Sequence, residues 1–572
     1  MWIFARQYRR KVQRDIAPDE IFLDSSNLPG HDRGRFEGRV ERPVANRSVL
    51  GVAIFFLCIL TAYSARAYVL QVHDGEQYAA ISRENSLERS VIFATRGLIF
   101  DRTGKELAWN ETATSSLSAT STGPGYPLRR YASMSGLAHV LGYVQYPKAD
   151  ASGVWWRETY AGLSGVELSF DTELGGRNGS RLIETDAHRK IERENIIVPP
   201  VAGTDLALSI DAAVQSKLYE VLSSHAERNR FQGGAAVIMD VRTGEILAIT
   251  SFPEYDNEAF TDGQRAIIAV QSQDERTPLL DRAVSGLYTP GSIVKPVFAI
   301  AALNEKIISA DKQIHSVGQL TLPNPYNPSN PSIFRDWTVH GWVDMRTAIA
   351  VSSDEYFYTI GGGFGGQPGL GVRRLDSYAR LFGMGSTTGI RLENEKEGII
   401  PTPEWKERVF GADDPWRIGN TYHTAIGQYG FQITPVQAVV FTAAIANGGT
   451  LLTPQLIASS TPHGISVGIP DEYIRVAREG MRMAVTSDRH DATVKALNMS
   501  GIEIAGKTGT AQLGSANQWM NSWSVGFWPA SNPKYAYAVV LEKAPAGTMS
   551  GASPGLRPFF EWLIREHPEY VQ

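Results

Sequence analysis

The chain has 572 residues, 43% hydrophobic and 20% charged, the balance of a globular protein with room for two or three domains. A formal net charge of −5 gives no nucleic-acid signature, and no nucleic-acid partner is expected. The single cysteine, Cys58, permits neither an intrachain disulfide nor a cysteine-rich metal site.

Residues 1–47 are polar and rich in arginine, with Arg6, Arg9, Arg10, Lys11 and Arg14 following Trp2, Ile3 and Phe4. Such a tail is either disordered or an amphipathic stretch touching anionic lipid. Residues 48–65 carry no charge over 18 positions, and the apolar run resumes after Arg66 through Val72. This predicts one transmembrane helix over 48–72, with Arg66 snorkelling to the interface. A cleaved signal peptide would need an unusually long n-region, and no clean small-residue cleavage site follows. Arg33, Arg35, Arg39, Arg42 and Arg47 precede the span, so residues 1–47 are expected in the cytoplasm and everything after residue 72 outside it.

Residues 73–205 read as strands and loops. The stretch 95–108 predicts two strands joined by an Arg-Thr-Gly turn, and residues 239–248 echo it. Residues 196–205, with Pro199, Pro200 and Gly203, have the composition of a linker, so a domain boundary is expected there. Strands are then predicted over 234–240 and 246–250.

About forty residues on comes Thr289-Pro290-Gly291-Ser292-Ile293-Val294-Lys295-Pro296, followed by an apolar run. Pro290-Gly291 predicts a turn, and Pro296 fits the first turn of a buried helix. Ser292 and Lys295 then share a face, within reach of each other. A serine alcohol is a weak nucleophile until a neighbour takes its proton, which a desolvated lysine can do. Alone, this spacing also describes an ordinary helix start with a solvated lysine. Ser352-Ser353-Asp354 follows 60 residues later, and Lys507-Thr508-Gly509-Thr510 comes 155 residues after that. Between them, Asp336 and His340 stand four apart; on a helix they would share a face as metal ligands do, whereas a polar loop is the plainer alternative. Ile426-Gly427-Gln428, Thr434-Pro435-Val436-Gln437 and Ala446-Asn447-Gly448-Gly449 read as turn and helix-start signals, and 523–528 and 536–541 as core strands.

The three ordered motifs resemble the Ser-x-x-Lys, Ser-x-Asn and Lys-Thr-Gly set of penicillin-binding proteins and serine β-lactamases. Arg96 to Gly104 is similar to the R-G-x-I-x-D-R-x-G opening of the class B pedestal, and Gly162 to Glu167 to its G-x-S-G-x-E. Leu206 to Asp211 with Gln215 is similar to the entry into the class B transpeptidase domain. Covering 48–572, the resemblance implies an α/β (α+β) protein: a single N-terminal transmembrane helix, a β-rich pedestal domain over 73–205, and a transpeptidase domain over 206–572. The latter would hold a five-stranded antiparallel sheet flanked by helices. Asp354 followed by Glu355-Tyr356-Phe357-Tyr358 resembles the elongation type, the penicillin-binding protein 2 group. Division-type members usually carry asparagine at that position, and a division role is the alternative.

The resemblance implies a peptidoglycan D,D-transpeptidase of the bacterial cytoplasmic membrane, open to β-lactams. Ser292 would be the nucleophile, Lys295 the base, and Ser352 a proton relay to the leaving amine. Asp354, Lys507, Thr508, Gly509 and Thr510 would bind substrate, with Gly509 admitting substrate backbone, and the Ser292 and Thr510 N–H groups would form the oxyanion hole. An ionised Asp354 cannot donate as an asparagine does. No cofactor is expected, and no structural zinc: position 353 is serine where zinc-carrying relatives are understood to have cysteine, and Asp336 with His340 does not close a site. Expected partners are stem peptides and lipid II-derived glycan, the membrane, and elongation-complex proteins. Because residues 73–205 match the pedestal and no Glu-Asp dipeptide seeds a glycosyltransferase signature, a separate SEDS-type polymerase is also expected. A β-lactamase would need an E-x-x-L-N pattern, which is missing, and a silent scaffold or β-lactam sensor would keep the fold without turnover, whereas the nucleophile and lysine positions are intact here.

Overall fold

The computed structural model describes residues 46–85, 87–111, 125–151, 154–185, 191–324, 327, 329–458 and 461–571. Nearly all of the arginine-rich tail, and the reading made of it, lies outside these residues.

Helix α1 (Asn46–Tyr68) continues through a π-helical segment, Val69–His73. Together they make 28 residues of mean hydropathy 2.1 in the most apolar window, none of them buried, and long and apolar enough to cross a bilayer. The chain separates into two units, residues 1–88 with 184–192, and residues 89–183 with 193–572. The site described below lies wholly in the second.

Within the second unit, strands Ile99–Phe100 and Glu106–Glu111 pair antiparallel, as the sequence predicts. Asp101 gathers the turn by accepting from Thr103 N, Thr103 Oγ1 and Lys105 N at 2.7–2.9 Å, and Gly104 takes the left-handed conformation at φ 87°. The echo at 239–248 uses the same device: Asp240 accepts from Arg242 N, and Gly244 sits at φ 84°. Leu206–Ala207 runs parallel to Ile99–Phe100, drawing the linker-like stretch back onto the first hairpin.

The two pedestal motifs, which suggested no role in the sequence, meet in one buried ion cluster. Arg96 Nε lies 2.5 Å from Glu167 Oε2, Arg129 Nε lies 2.7 Å from Glu167 Oε1, and Arg96 Nη2 reaches Asp171 at 2.7 Å. The side chains of Arg96, Arg129 and Glu167 are fully buried, so each charge depends on the others.

The larger sheet is built from β1 (Gly233–Asp240), β2 (Ile246–Phe252), β3 (Ala505–Leu513), β4 (Trp519–Trp528) and β5 (Tyr535–Pro545). All neighbours are antiparallel, in the order β2-β1-β5-β4-β3, so β3 is an edge. The helices around it that matter here are α2 (Ala212–Arg228), α3 (Lys295–Asn304), α4 (Asp354–Gly362), α5 (Ile418–Ala425), α6 (Pro435–Ala446) and α7 (Ala552–Glu566). Side chains alternate along a strand, and β1 shows the consequence. Ala235, Val237 and Met239 pack into the cluster holding α3 and α6, while Ala236 and Ile238 pack with α2 and α7. Both faces are covered, which is why β1 reads as an unbroken apolar run. Thr434 and Gln437 form a capping box on α6 with Pro435 in the first turn, as the helix-start signal predicts.

Candidate active site

Residues Gly291–Val294 form a 3₁₀ turn that runs directly into α3, with Pro296 in the helix's first turn. Every residue of α3 from Lys295 to Leu303 is buried, so Lys295 is carried into the core. Gly291 is left-handed at φ 57°, its N–H donates to Gly427 O at 2.9 Å, and a Cβ there would stand 2.7 Å from Thr510 O. Gln428 Nε2 donates to the same Thr510 carbonyl at 3.2 Å. The serine turn is thus wedged between the β3 edge and residues 427–428.

That wedge gives Gly509 a packing role. A Cβ at 509 would meet Pro290 O at 2.6 Å and Ile293 Cγ2 at 2.9 Å. The close approach this glycine permits is that of the Ser292 turn itself.

Ser352 occupies the left-handed region at φ 60°, a costly conformation for a residue with a Cβ. Immediately after it, Ser353 caps α4 by accepting from Tyr356 N at 3.3 Å. Lys295 Nζ donates to Ser352 O at 2.8 Å and to Asp354 Oδ1 at 2.6 Å, with Ser352 Oγ at 3.4 Å. Lys507 Nζ, fully buried on β3, lies 2.8 Å from both Ser352 Oγ and Thr508 O. Ser292 is half-buried, and its hydroxyl makes no hydrogen bond among the described residues. The expected contact between Lys295 and the Ser292 hydroxyl is therefore replaced by one to Asp354. The reason is electrostatic: a lysine with no exposure needs a counter-charge more than a neutral hydroxyl.

Two buried lysines share one carboxylate here. Burial and the neighbouring Lys295 push the Lys507 amine well below the usual lysine range, with Asp354 only partly opposing them. Burial likewise pushes the Asp354 carboxyl up, against the attraction of Lys295. Lys295, Ser352, Asp354 and Lys507 therefore come together, with Ser292 in the turn that leads into Lys295, while Thr508 and Thr510 line the edge of β3.

Asp336 and His340 lie in the loop between strands Ser332–Arg335 and Gly341–Val343, not on a helix. They brace the Ser352 turn. Asp336 Oδ2 accepts from Ser353 Oγ and Glu355 N, both at 2.9 Å, and Trp337 Nε1 donates to Val351 O at 3.1 Å. His340 spans from Asp336 at 3.4 Å to Asp491 at 2.8 Å, and Arg489 in turn holds Asp491. Burial opposes charge on the imidazole, but the two carboxylates hold His340 above its ordinary value. Asp491 and Trp337 escaped the sequence reading; Asp491 lies 151 residues from His340, with no local signal to mark it.

The family described as penicillin binding protein transpeptidase domain matches residues 234–560, spanning the sheet and all three motifs. The chain is a penicillin-binding protein. The penicillin-binding protein dimerisation domain matches residues 125–208, which include Arg129 and Glu167. The peptidoglycan D,D-transpeptidase MrdA of Haemophilus influenzae is 28% identical over 96% of this chain and 96% of its own length. MrdA of Escherichia coli K12 is 30% identical over 75% of this chain and 70% of its own. Among solved structures, Pseudomonas aeruginosa PBP2 in complex with WCK 5153 is 28% identical, with a TM-score of 0.67 over 85% of this chain and 98% of the other. PBP2 of Helicobacter pylori in complex with MreC is 25% identical, also at 0.67, over 83% and 98%. This penicillin-binding protein is of class B and falls in the penicillin-binding protein 2 group, as the Asp354 triplet suggests.

Proposed function

We propose that this penicillin-binding protein crosslinks peptidoglycan as an elongation-type D,D-transpeptidase. The observation that carries the reading is the convergence of Lys295, Ser352, Asp354 and Lys507 on one cluster, one turn from Ser292 and beside the edge of β3. Ser292 Oγ attacks the penultimate carbonyl of a D-Ala-D-Ala stem peptide. Lys295 takes the serine proton, for which it first passes one to the Asp354 carboxylate 2.6 Å away. Ser352, held by Lys507, hands a proton to the departing D-alanine. The backbones of Gly291 and Thr510 abut, which supports an oxyanion hole formed by the Ser292 and Thr510 N–H groups, worth about 3 kcal/mol. Lys507, Thr508 and Thr510 bind the substrate's terminal carboxylate along the strand edge. An amine on a second stem peptide then resolves the acyl-enzyme.

The same geometry accepts β-lactams, whose strained amide mimics the scissile bond. We place the N-terminal tail in the cytoplasm and the catalytic domain outside the membrane, on the arginines before α1. Working partners are elongation-complex proteins, supported by the Helicobacter pylori PBP2–MreC complex and by a 26% identical chain whose structure concerns polymerisation and crosslinking by a peptidoglycan synthase complex. Intact mass spectrometry after penicillin treatment is expected to show one added drug mass on the Ser292 peptide. Undiminished labelling of Ser292→Ala would sink the assignment.

A further inference from the structure

We propose that the His423 imidazole is the base that relieves the acceptor amine of its proton in the second half of the reaction. The inference rests on the transpeptidase reading and concerns a residue with no part in acylation.

His423 lies near the C-terminal end of α5, which packs against α4 where Gly361 and Gly362 leave no room for a Cβ beside Ala425 and Tyr422. Its ring stands 6.3 Å from the ring of Tyr358, one turn along α4 from Asp354, and 5.5 Å from that of Phe334. From His423 the chain runs directly to Gly427, whose carbonyl holds the N–H of Gly291 next to the nucleophile, and to Gln428, which holds Thr510. Residues 423–428 therefore form one wall passing from α4 across the serine turn to the edge of β3.

Both lysines of the site are already committed, Lys295 to Asp354 and Ser352, and Lys507 to Ser352 and Thr508. The half-buried His423 ring makes no hydrogen bond among the described residues. Burial pushes it below the ordinary imidazole value, with the Asp354 carboxylate partly opposing, so it stands neutral and able to accept a proton. The charged and titratable groups facing it are Asp354 and Tyr358 on α4, with Tyr422 beside it on its own helix.

In the step proposed, the acceptor nitrogen bonds to the acyl carbon and the ester bond to Ser292 Oγ breaks. The proton lost by the amine passes to the imidazole. Ser292 Oγ regains one from Lys295, which is recharged from the imidazolium through water, so no proton is gained or lost overall. The acceptor class is a primary amine on a stem-peptide side chain.

The test uses the full chain, a thioester donor ending in D-alanyl thioglycolate, and D-alanine as the acceptor amine. His423→Gln and His423→Ala are expected to be acylated by penicillin at the wild-type rate, while transfer to D-alanine falls by about 100-fold. Added imidazole is expected to restore transfer in His423→Ala. Transfer at the wild-type rate in both variants would overturn the proposal, as would a parallel loss of acylation and transfer, which marks a ring that only packs. Failure of the wild-type chain to be acylated would instead overturn the transpeptidase reading.

Discussion

Asp354 decides how the catalytic lysine stands. Its Oδ1 stands 2.6 Å from Lys295 Nζ and holds the buried amine beside Ser352. Asparagine at this position would keep the shape and remove the counter-charge. Asp354→Asn is therefore expected to slow acylation of Ser292 by roughly tenfold or more. β-Lactam labelling rates of the variant measure this; a wild-type rate would show that the Lys295–Asp354 pair does not position the base. Lys507 follows the opposite logic. Without a carboxylate of its own, its amine is held well below the usual range by burial and by the neighbouring Lys295, and it lies 2.8 Å from Ser352 Oγ.

At the scale of elements, the pedestal is locked by charge where a transpeptidase core is locked by apolar packing. Glu167 stands between Arg96 and Arg129 with no exposure, and Asp171 covers only part of Arg96. Glu167→Gln keeps the volume and leaves two buried guanidiniums short of a counter-charge, at a cost of about 3–5 kcal/mol. Thermal unfolding of the variant is expected to show the loss, while the rate of Ser292 acylation in the folded fraction stays at the wild-type value. A wild-type midpoint would show that the arginines find other partners. The loop bearing Asp336 and His340 works in a similar way on a smaller scale, tying the strained Ser352 turn to Asp491 across the fold.

For the whole molecule, the one helix long and apolar enough to cross a membrane among the described residues, and the proposed placement of the catalytic unit outside the cytoplasm, lead to two expectations. A C-terminal alkaline phosphatase fusion is expected to be active, and a fluorescent reporter that folds only in the cytoplasm to stay dark; the opposite pair of results would reverse the topology. Transpeptidation joins peptides on glycan strands, and we propose that a separate polymerase makes those strands. With lipid II alone, the purified protein is expected to yield no polymerised glycan, and with a SEDS-type polymerase to yield crosslinked material. Strand synthesis by the protein alone would overturn that division of labour.

The features legible in the sequence are those set within a few residues. The apolar α1, the Asp-to-Gly turns at 101–104 and 240–244, the buried strand runs, and the single turn joining Ser292 to Lys295 all follow from local periodicity and turn chemistry. The order of three motifs then made the family readable, and the edge placement of Lys507 to Thr510 came with it. Only the tertiary structure decided what the charged side chains do. Lys295 pairs with Asp354 across 59 residues, Lys507 with Ser352 across 155, and Arg96 with Glu167 across 71. None of these pairings has a local signature, because each arises when packing takes a charged group out of water and it must find a polar or oppositely charged partner. Gly509 shows the same limit: its motif was plain in the sequence, but the Pro290 carbonyl that makes a side chain there untenable belongs to another element, brought against β3 only by the fold.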